Sequence, residues 1–380
     1  MKGLKLLIRK LFFFLFDFFP IKRNRIVFFS YYGSYYGCNP KYLTEYLNKI
    51  YGNKLELVWA LTDINKNLPS EIKKVKYGSI KFLFYFRTAK VICTNFNLTT
   101  DLKIRPDQFY ILLWHNAMRL KRTHQDVNEG LSNSFIHMAK EDSKKINFLC
   151  CGSEFMKDRM QKSFWYDGPV FNTGLPRNDL LIHSDKTKIA EIKKKLGISE
   201  DSIVVIYAPT FRKNHEINKH LPDFKTLIKT LRHKTNKEVS LLVRLHPHLL
   251  NNSYTIKNII IDYLDVTSYD DVAELLLISD LLITDYSSVM FDFMLTKRPV
   301  FLFTPDKNEY AESDFGFYFN FEDLPVKFAE TGPELIDNII NFDNEAYQKK
   351  LSVFFKQIGM NLGGKASENI GKRIIKYINE

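Results

Sequence analysis

Four short clusters in this 380-residue chain combine residue types that can bind and move a phosphate-bearing group. The first is Trp114-His115-Asn116-Ala117-Met118-Arg119-Leu120-Lys121-Arg122, one imidazole with three cations close behind it. A histidine with an ordinary pKa of about 6.5 can serve as a general base near neutral pH, and a hydrogen-bonded structural role is also open to it. The second is Tyr207-Ala208-Pro209-Thr210-Phe211-Arg212, where a hydroxyl and a guanidinium follow an apolar run. In the third, Arg244-Leu245-His246-Pro247, alternation puts Arg244 and His246 on the same side of an extended chain, and the planar guanidinium fork matches phosphate oxygens. The fourth is Thr284-Asp285-Tyr286-Ser287-Ser288-Val289-Met290-Phe291-Asp292. Serine at a helix start caps backbone N–H groups, and the same donors can cradle a phosphate. Asp285 and Asp292 could hold a ribose or glycerol hydroxyl, or pair with a neighbouring base.

Each cluster follows an apolar run, which sets what must position it. The runs at 25–30, 55–62, 91–94 and 109–114 predict strands, with helices over 40–50, 80–88 and 154–165. After Pro176 a second series begins. A charged helix over 186–196 ends at Gly197; strands follow at 203–208, 239–245, 281–284 and 300–303, with helices over 224–232, 271–278 and 288–295. Strands alternating with helices predict α/β architecture with parallel sheet. Ligands of such sheets bind beyond the carboxyl ends of the strands, where the four clusters lie. A chain of this length exceeds the roughly 250–300 residues at which single cores stop growing. The expectation is therefore two Rossmann-like domains with a cleft between them. The division is a basic amphipathic helix over 1–22, a first domain over 23–180, a second over 181–362, and a C-terminal helix over 363–380 packing back on the first.

The net charge of +12 draws anions, and argues against an acidic soluble carrier. Charge alone does not separate nucleic acid, anionic lipid and phosphorylated small molecules. With 32 Phe and 20 Tyr, the chain has little room for disorder. Cys38, Cys93, Cys150 and Cys151 form no CxxC pair, and read as buried reduced thiols. There is no Gly-rich phosphate loop, no GxGxxG and no metal-spaced His/Cys cluster, so neither metal nor cofactor is called for. At the N-terminus, Lys2, Lys5, Arg9 and Lys10 precede an apolar run over 11–19, then Pro20, Lys22, Arg23 and Arg25. That run is too short to span a bilayer, and no small-residue cleavage site follows it. Leu4, Leu7, Ile8, Leu11, Leu15 and Phe18 recur at helical spacing, which predicts a basic helix lying on an anionic membrane surface; packing on the protein's own core is the alternative.

The order of these pieces resembles the CDP-glycerol glycerophosphotransferase family of teichoic acid enzymes, most closely over 109–372. Trp114-His115…Leu120-Lys121 is similar to its WHGTPLK motif, with Asn116-Ala117-Met118 in place of Gly-Thr-Pro. Cys151-Gly152-Ser153-Glu154-Phe155 resembles SEF, and Gly174-Leu175-Pro176-Arg177-Asn178-Asp179 resembles GYPRND. Ala208-Pro209-Thr210-Phe211-Arg212 resembles APTWR, Arg244-Leu245-His246-Pro247 resembles RxHP, 282–292 resembles LITDYSSVMFD, and Gly364-Lys365-Ala366-Ser367-Glu368 resembles GKASE. The resemblance implies a GT-B-like fold and peripheral, monotopic attachment at the cytoplasmic face of the membrane. It implies His115 as the base that deprotonates an acceptor hydroxyl, and His246 as a second catalytic residue, set against the donor diphosphate. Arg177, Thr210, Arg212, Arg244, His246, Ser287 and Ser288 are then expected around the donor diphosphate, Lys121, Pro209 and Asp285 as further substrate-binding residues, and Asp292 on or near the alditol. The implied partners are CDP-glycerol or CDP-ribitol and a lipid-linked or polymer acceptor of teichoic acid or capsule synthesis, rather than nucleic acid. A homo-oligomer is compatible with all of this. Two other readings share the architecture: a glycosyltransferase using a nucleotide sugar, and an inactive transferase fold that binds anions or membranes.

Overall fold

A computed structural model describes residues 2–127, 131–210, 221–245, 262–313 and 316–380. Central strands rich in Val, Ile, Leu and Phe and buried on both faces, with more exposed strands at the edges, build two wholly parallel sheets. The first contains β1 (Lys22–Phe29), β2 (Glu56–Leu61), β3 (Lys73–Lys76), β4 (Ala89–Thr94), β5 (Phe109–Leu112), β6 (Phe148–Cys151) and β7 (Val170–Asn172), in the order β3-β2-β1-β4-β5-β6-β7. The second contains β8 (Ile203–Tyr207), β9 (Val239–Val243), β10 (Leu264–Asp265), β11 (Leu281–Thr284), β12 (Val300–Phe303) and β13 (Lys327–Ala329), in the order β10-β9-β8-β11-β12-β13. Both orders reverse beside their first strand, between β1 and β4 and between β8 and β11. This is the doubly wound arrangement, whose switch point leaves a crevice at the carboxyl edge.

Fourteen α-helices surround the sheets among the described residues. They are α1 (Lys2–Asp17), α2 (Cys38–Tyr51), α3 (Ile80–Thr88), α4 (Asn133–Ser143), α5 (Glu154–Ser163), α6 (Pro176–His183), α7 (Lys186–Lys195), α8 (Phe224–Thr235), α9 (Val272–Ile278), α10 (Val289–Met294), α11 (Lys307–Ser313), α12 (Gly332–Ile340), α13 (Asn344–Ile358) and α14 (Ala366–Asn379). Helix α14 lies against the first sheet's unit. Its opening N–H groups on Ala366 and Ser367 donate to the Asp179 carboxylate at 3.0 and 2.8 Å, and Tyr377 stacks on Phe109 at 4.2 Å. Gly371 passes so close to Tyr46 that a Cβ would stand 2.8 Å from its ring.

The two units are fastened to each other by buried charge. Lys41 on α2 reaches Asp271 at 2.9 Å and Glu274, on α9, at 2.6 Å. Burying a lone ammonium is expensive, so one carboxylate partner or more is required there.

Helix α1 has two apolar faces. Phe13 is buried against Phe86, and Phe16 meets Phe84 edge-on at 5.4 Å, while Arg87 forms an ion pair with Asp17. The opposite face leaves Phe14 61% and Phe18 74% exposed, with Leu11 and Leu15 beside them. The packing reading of this segment holds for one face, and of the anticipated stripe Leu11, Leu15 and Phe18 point outward. No described helix is long and apolar enough to cross a membrane.

Candidate active site

Because every strand of the first sheet runs the same way, the loops after β1, β4 and β5 leave from one edge. They bring Tyr31, Phe96 and His115 together. Trp114 breaks the strand with a left-handed backbone (φ 51°), a conformation that costs an L-residue on the order of 1–3 kcal/mol and must be held by its surroundings. The turn swings His115 into a cage of rings. Its imidazole stacks on Phe96 at 4.7 Å and 15°, with Trp114 at 4.4 Å and Tyr31 at 6.2 Å.

His115 Nδ1 lies 3.3 Å from the Asn95 carbonyl oxygen. A carbonyl can only accept, so Nδ1 carries the proton and Nε2 keeps its lone pair. Burial pushes the imidazole pKa well below its ordinary value, and the Arg119 and Arg177 cations push it the same way. The result is a neutral imidazole whose free nitrogen is an acceptor.

The loop carrying His115 is stitched to the second unit. The Leu120 N–H donates to Ser288 Oγ at 3.4 Å, Arg122 N–H to the Gly316 carbonyl at 3.0 Å, and Tyr318 N–H to the Leu120 carbonyl at 2.8 Å. Lys121 Nζ meets the Tyr310 hydroxyl and lies 4.8 Å from the centre of that ring, which in turn stacks on Tyr286 at 3.8 Å.

At the second switch point Asp285 acts as a latch between β11 and the loop after β8. It accepts from Thr210 N–H at 2.8 and 3.0 Å, from Thr210 Oγ1 at 2.6 Å and from Tyr286 N–H at 2.6 Å; Pro209, just before, is buried. Ser287 Oγ accepts from Val289 N–H at 3.4 Å. The helix expected from Ser288 begins one residue later. Its hydroxyl does not cap that helix, since Ser288 Oγ serves the Leu120 N–H instead. Arg244, after β9, is oriented by the carbonyls of Val266 at 3.1 Å and Tyr269 at 2.7 Å.

Arg177 at the start of α6 and Asp292 on α10 form an ion pair between the units, 5% and 1% exposed. Arg177 Nη1 also donates to Cys38 Sγ at 3.4 Å. The Asn178 side chain and the Ala117 backbone N–H also stabilise the Asp292 carboxylate, while desolvation raises its pKa. The structure thus gathers His115, Lys121, Arg177, Arg244, Ser288 and Asp292 where the units meet. The charges of Arg177 and Arg244 both act on the Tyr31 hydroxyl, whose ring faces His115. Pro209, Thr210, Asp285 and Ser287 line the second sheet's own switch point. Arg212 and His246 lie outside the described residues. No group of three or more His, Cys, Asp or Glu among the described residues could hold a metal.

Tyr31, Asn39, Asn95 and Phe96 belong to this neighbourhood but were not singled out from the sequence. For Tyr31, Asn95 and Phe96 the signal was position, since each follows the end of β1 or β4; Asn39 lies inside the start of α2 and carried no such signal.

The chain is 32% identical over 377 residues to a teichoic acid poly(glycerol phosphate) polymerase of Staphylococcus epidermidis, covering 95% of this chain and 52% of that protein. It is 29% identical to a teichoic acid glycerol-phosphate transferase of Staphylococcus aureus, covering 93% of each. The chain thus spans about half of the first relative and nearly all of the second. A solved structure of the wall teichoic acid polymerase TagF, a variant with CDPG, superposes with a TM-score of 0.87 at 30% identity, over 99% of this chain and 94% of that one. A UDP-N-acetylglucosamine 2-epimerase structure from Listeria monocytogenes shares the fold alone, at 13% identity and a TM-score of 0.55. Residues 11–376 match the CDP-Glycerol:Poly(glycerophosphate) glycerophosphotransferase family, and the chain belongs to it.

Proposed function

We propose that this protein transfers glycerol phosphate from CDP-glycerol to an acceptor hydroxyl in teichoic acid synthesis, releasing CMP. The observation that carries the reading is His115: an imidazole with a fixed tautomer, half-buried among aromatic rings with its pKa lowered, at the meeting of two units rich in cations. Its Nε2 takes the proton of the acceptor hydroxyl. The freed oxygen attacks the β-phosphorus, which bears the glycerol, and the bond to the CMP oxygen breaks. Phosphoryl-type transfer needs chiefly alignment and charge stabilisation. Arg244, Lys121, Thr210, Ser287 and Ser288, with Arg212 and His246, are placed around the diphosphate on this reading; Pro209 and Asp285 shape the loop that presents them. Arg177 and Asp292 bind each other across the two units.

The same proposal extends to the membrane. The outward face of α1, with Phe14 and Phe18 exposed and Lys22 and Arg23 beside them, fits the headgroup region of an anionic bilayer. A lipid-linked or polymer acceptor would then meet the crevice from the cytoplasmic surface, with the protein attached peripherally.

The test is incubation with CDP-glycerol and with CDP-ribitol, each with a lipid-linked acceptor. A phosphodiester product with stoichiometric CMP supports the reading, and the faster donor names the alditol. Release of a nucleoside diphosphate with a glycoside product refutes it.

A further inference from the structure

We propose that Asn39, the second residue of α2, is a positioning residue that locks the left-handed turn at Trp114 and so aims His115. This rests on His115 being the base. Asn39 is fully buried (0% exposed), and its side-chain amide uses both ends. Nδ2 donates to the Trp114 carbonyl at 2.9 Å and, more weakly, lies 3.4 Å from the Leu113 carbonyl. Oδ1 accepts the Arg177 backbone N–H at 3.1 Å. The carbonyl it grips belongs to the residue whose φ of 51° redirects the chain immediately before His115.

A buried asparagine on a helix has cheaper alternatives if its only task is packing, because an apolar residue of similar volume would need no partners. This one joins three separate segments: the start of α2, the turn before His115, and the start of α6. The third link matters for alignment, since Arg177 reaches on to Asp292 in the second unit. One amide therefore ties the base-bearing turn to the ion pair that joins the two units. The second fixed point is the Asn95 carbonyl at His115 Nδ1, which sets the ring's tautomer but not the path of the backbone. Without Asn39 the Trp114 carbonyl loses its donor, and the turn can relax toward an unstrained backbone, carrying the imidazole out of line and out of its cage.

The experiment compares Asn39→Ala, Asn39→Asp and His115→Ala in the full chain. Asn39→Asp keeps the shape and the acceptor for Arg177, so it serves even if Asn39→Ala folds poorly. Steady-state CMP release, CDP binding, thermal unfolding and pH–rate profiles are recorded for each. The expected result for an Asn39 variant is kcat lower by about a hundredfold with KM for CDP-glycerol within about twofold, as a misplaced catalytic group predicts. The acidic limb of the pH profile is also expected to move upward by roughly one unit, because a less buried imidazole protonates more readily. An unchanged kcat in a folded variant overturns the inference. So does a loss of kcat that only follows loss of CDP binding and unfolding, with the acidic limb unmoved. If His115→Ala turns over normally, the base assignment itself falls; if His115→Ala is inactive while both Asn39 variants are normal, only the role of Asn39 falls.

Discussion

Along the β5 edge His115 is flanked by Trp114, Phe96 and Tyr31, and burial with the nearby Arg119 and Arg177 cations lowers its pKa. Along the β8–β11 edge the corresponding positions hold Thr210, Asp285 and Ser287, which are bound to backbone N–H groups and to each other. On the proposed reading the difference separates two tasks, a base at His115 and an anion site along the β8–β11 edge. A base must lose water to stay neutral and aligned. An anion site must keep polar donors fixed without collapsing onto them, and Asp285 achieves this by holding its loop from behind.

The comparison is broken most directly at His115. His115→Ala is expected to lower kcat by about a thousandfold or more while CDP binding stays within about threefold, measured by CMP release and calorimetry. Equal loss of both would place His115 on the donor side. Next in size is the pair that joins the two edges. Asp292→Ala leaves the Arg177 guanidinium buried without its partner, and is expected to cost about 3–5 kcal/mol in denaturant unfolding. A loss under about 1 kcal/mol would mean that water reaches the pair. On the donor edge, Arg244→Ala should raise KM for CDP-glycerol by about tenfold, equivalent to about 1.4 kcal/mol, with kcat less affected. A kcat effect at constant KM would move Arg244 to the transition state. The smallest effect is a flatness. Because the folded imidazole has its pKa lowered, His115 stays unprotonated below the pH at which a free histidine would charge. The kcat/KM of the native protein should then change less than about twofold between pH 8 and about 6.5, the ordinary histidine pKa. A fall centred near that value would show that the cage is wetter than its rings imply.

Much of this plan was legible in the chain. Strands such as Leu281–Thr284 and Val300–Phe303 read correctly to the residue, because a strand covered on both faces is a continuous apolar run. Helix Ile80–Thr88 also read correctly, with Ser79 capping its start. The edge strands did not. Lys73–Lys76 is three lysines around one buried valine, and Lys327–Ala329 has three residues, so neither carries an apolar run. In the candidate site, His115, Arg244 and Ser288 were singled out by type and by place after a strand, and the fold brings them to the meeting of the two units. What the sequence could not display is direction: Arg177 and Asp292 look like any cation and carboxylate, and only the fold points them at each other. Asn39 was hidden because it sits beside a proline at a helix start, where an asparagine commonly caps; here its amide faces the opposite way.

The ion pair between Arg177 and Asp292 also bears on how such proteins can be recombined. Each half carries one member of a contact that neither can complete alone. A chimaera that takes its first sheet from one relative and its second from another must therefore bring matched partners at both positions. Libraries built by swapping halves should tolerate mixed surface loops far more readily than a mismatch at this one seam.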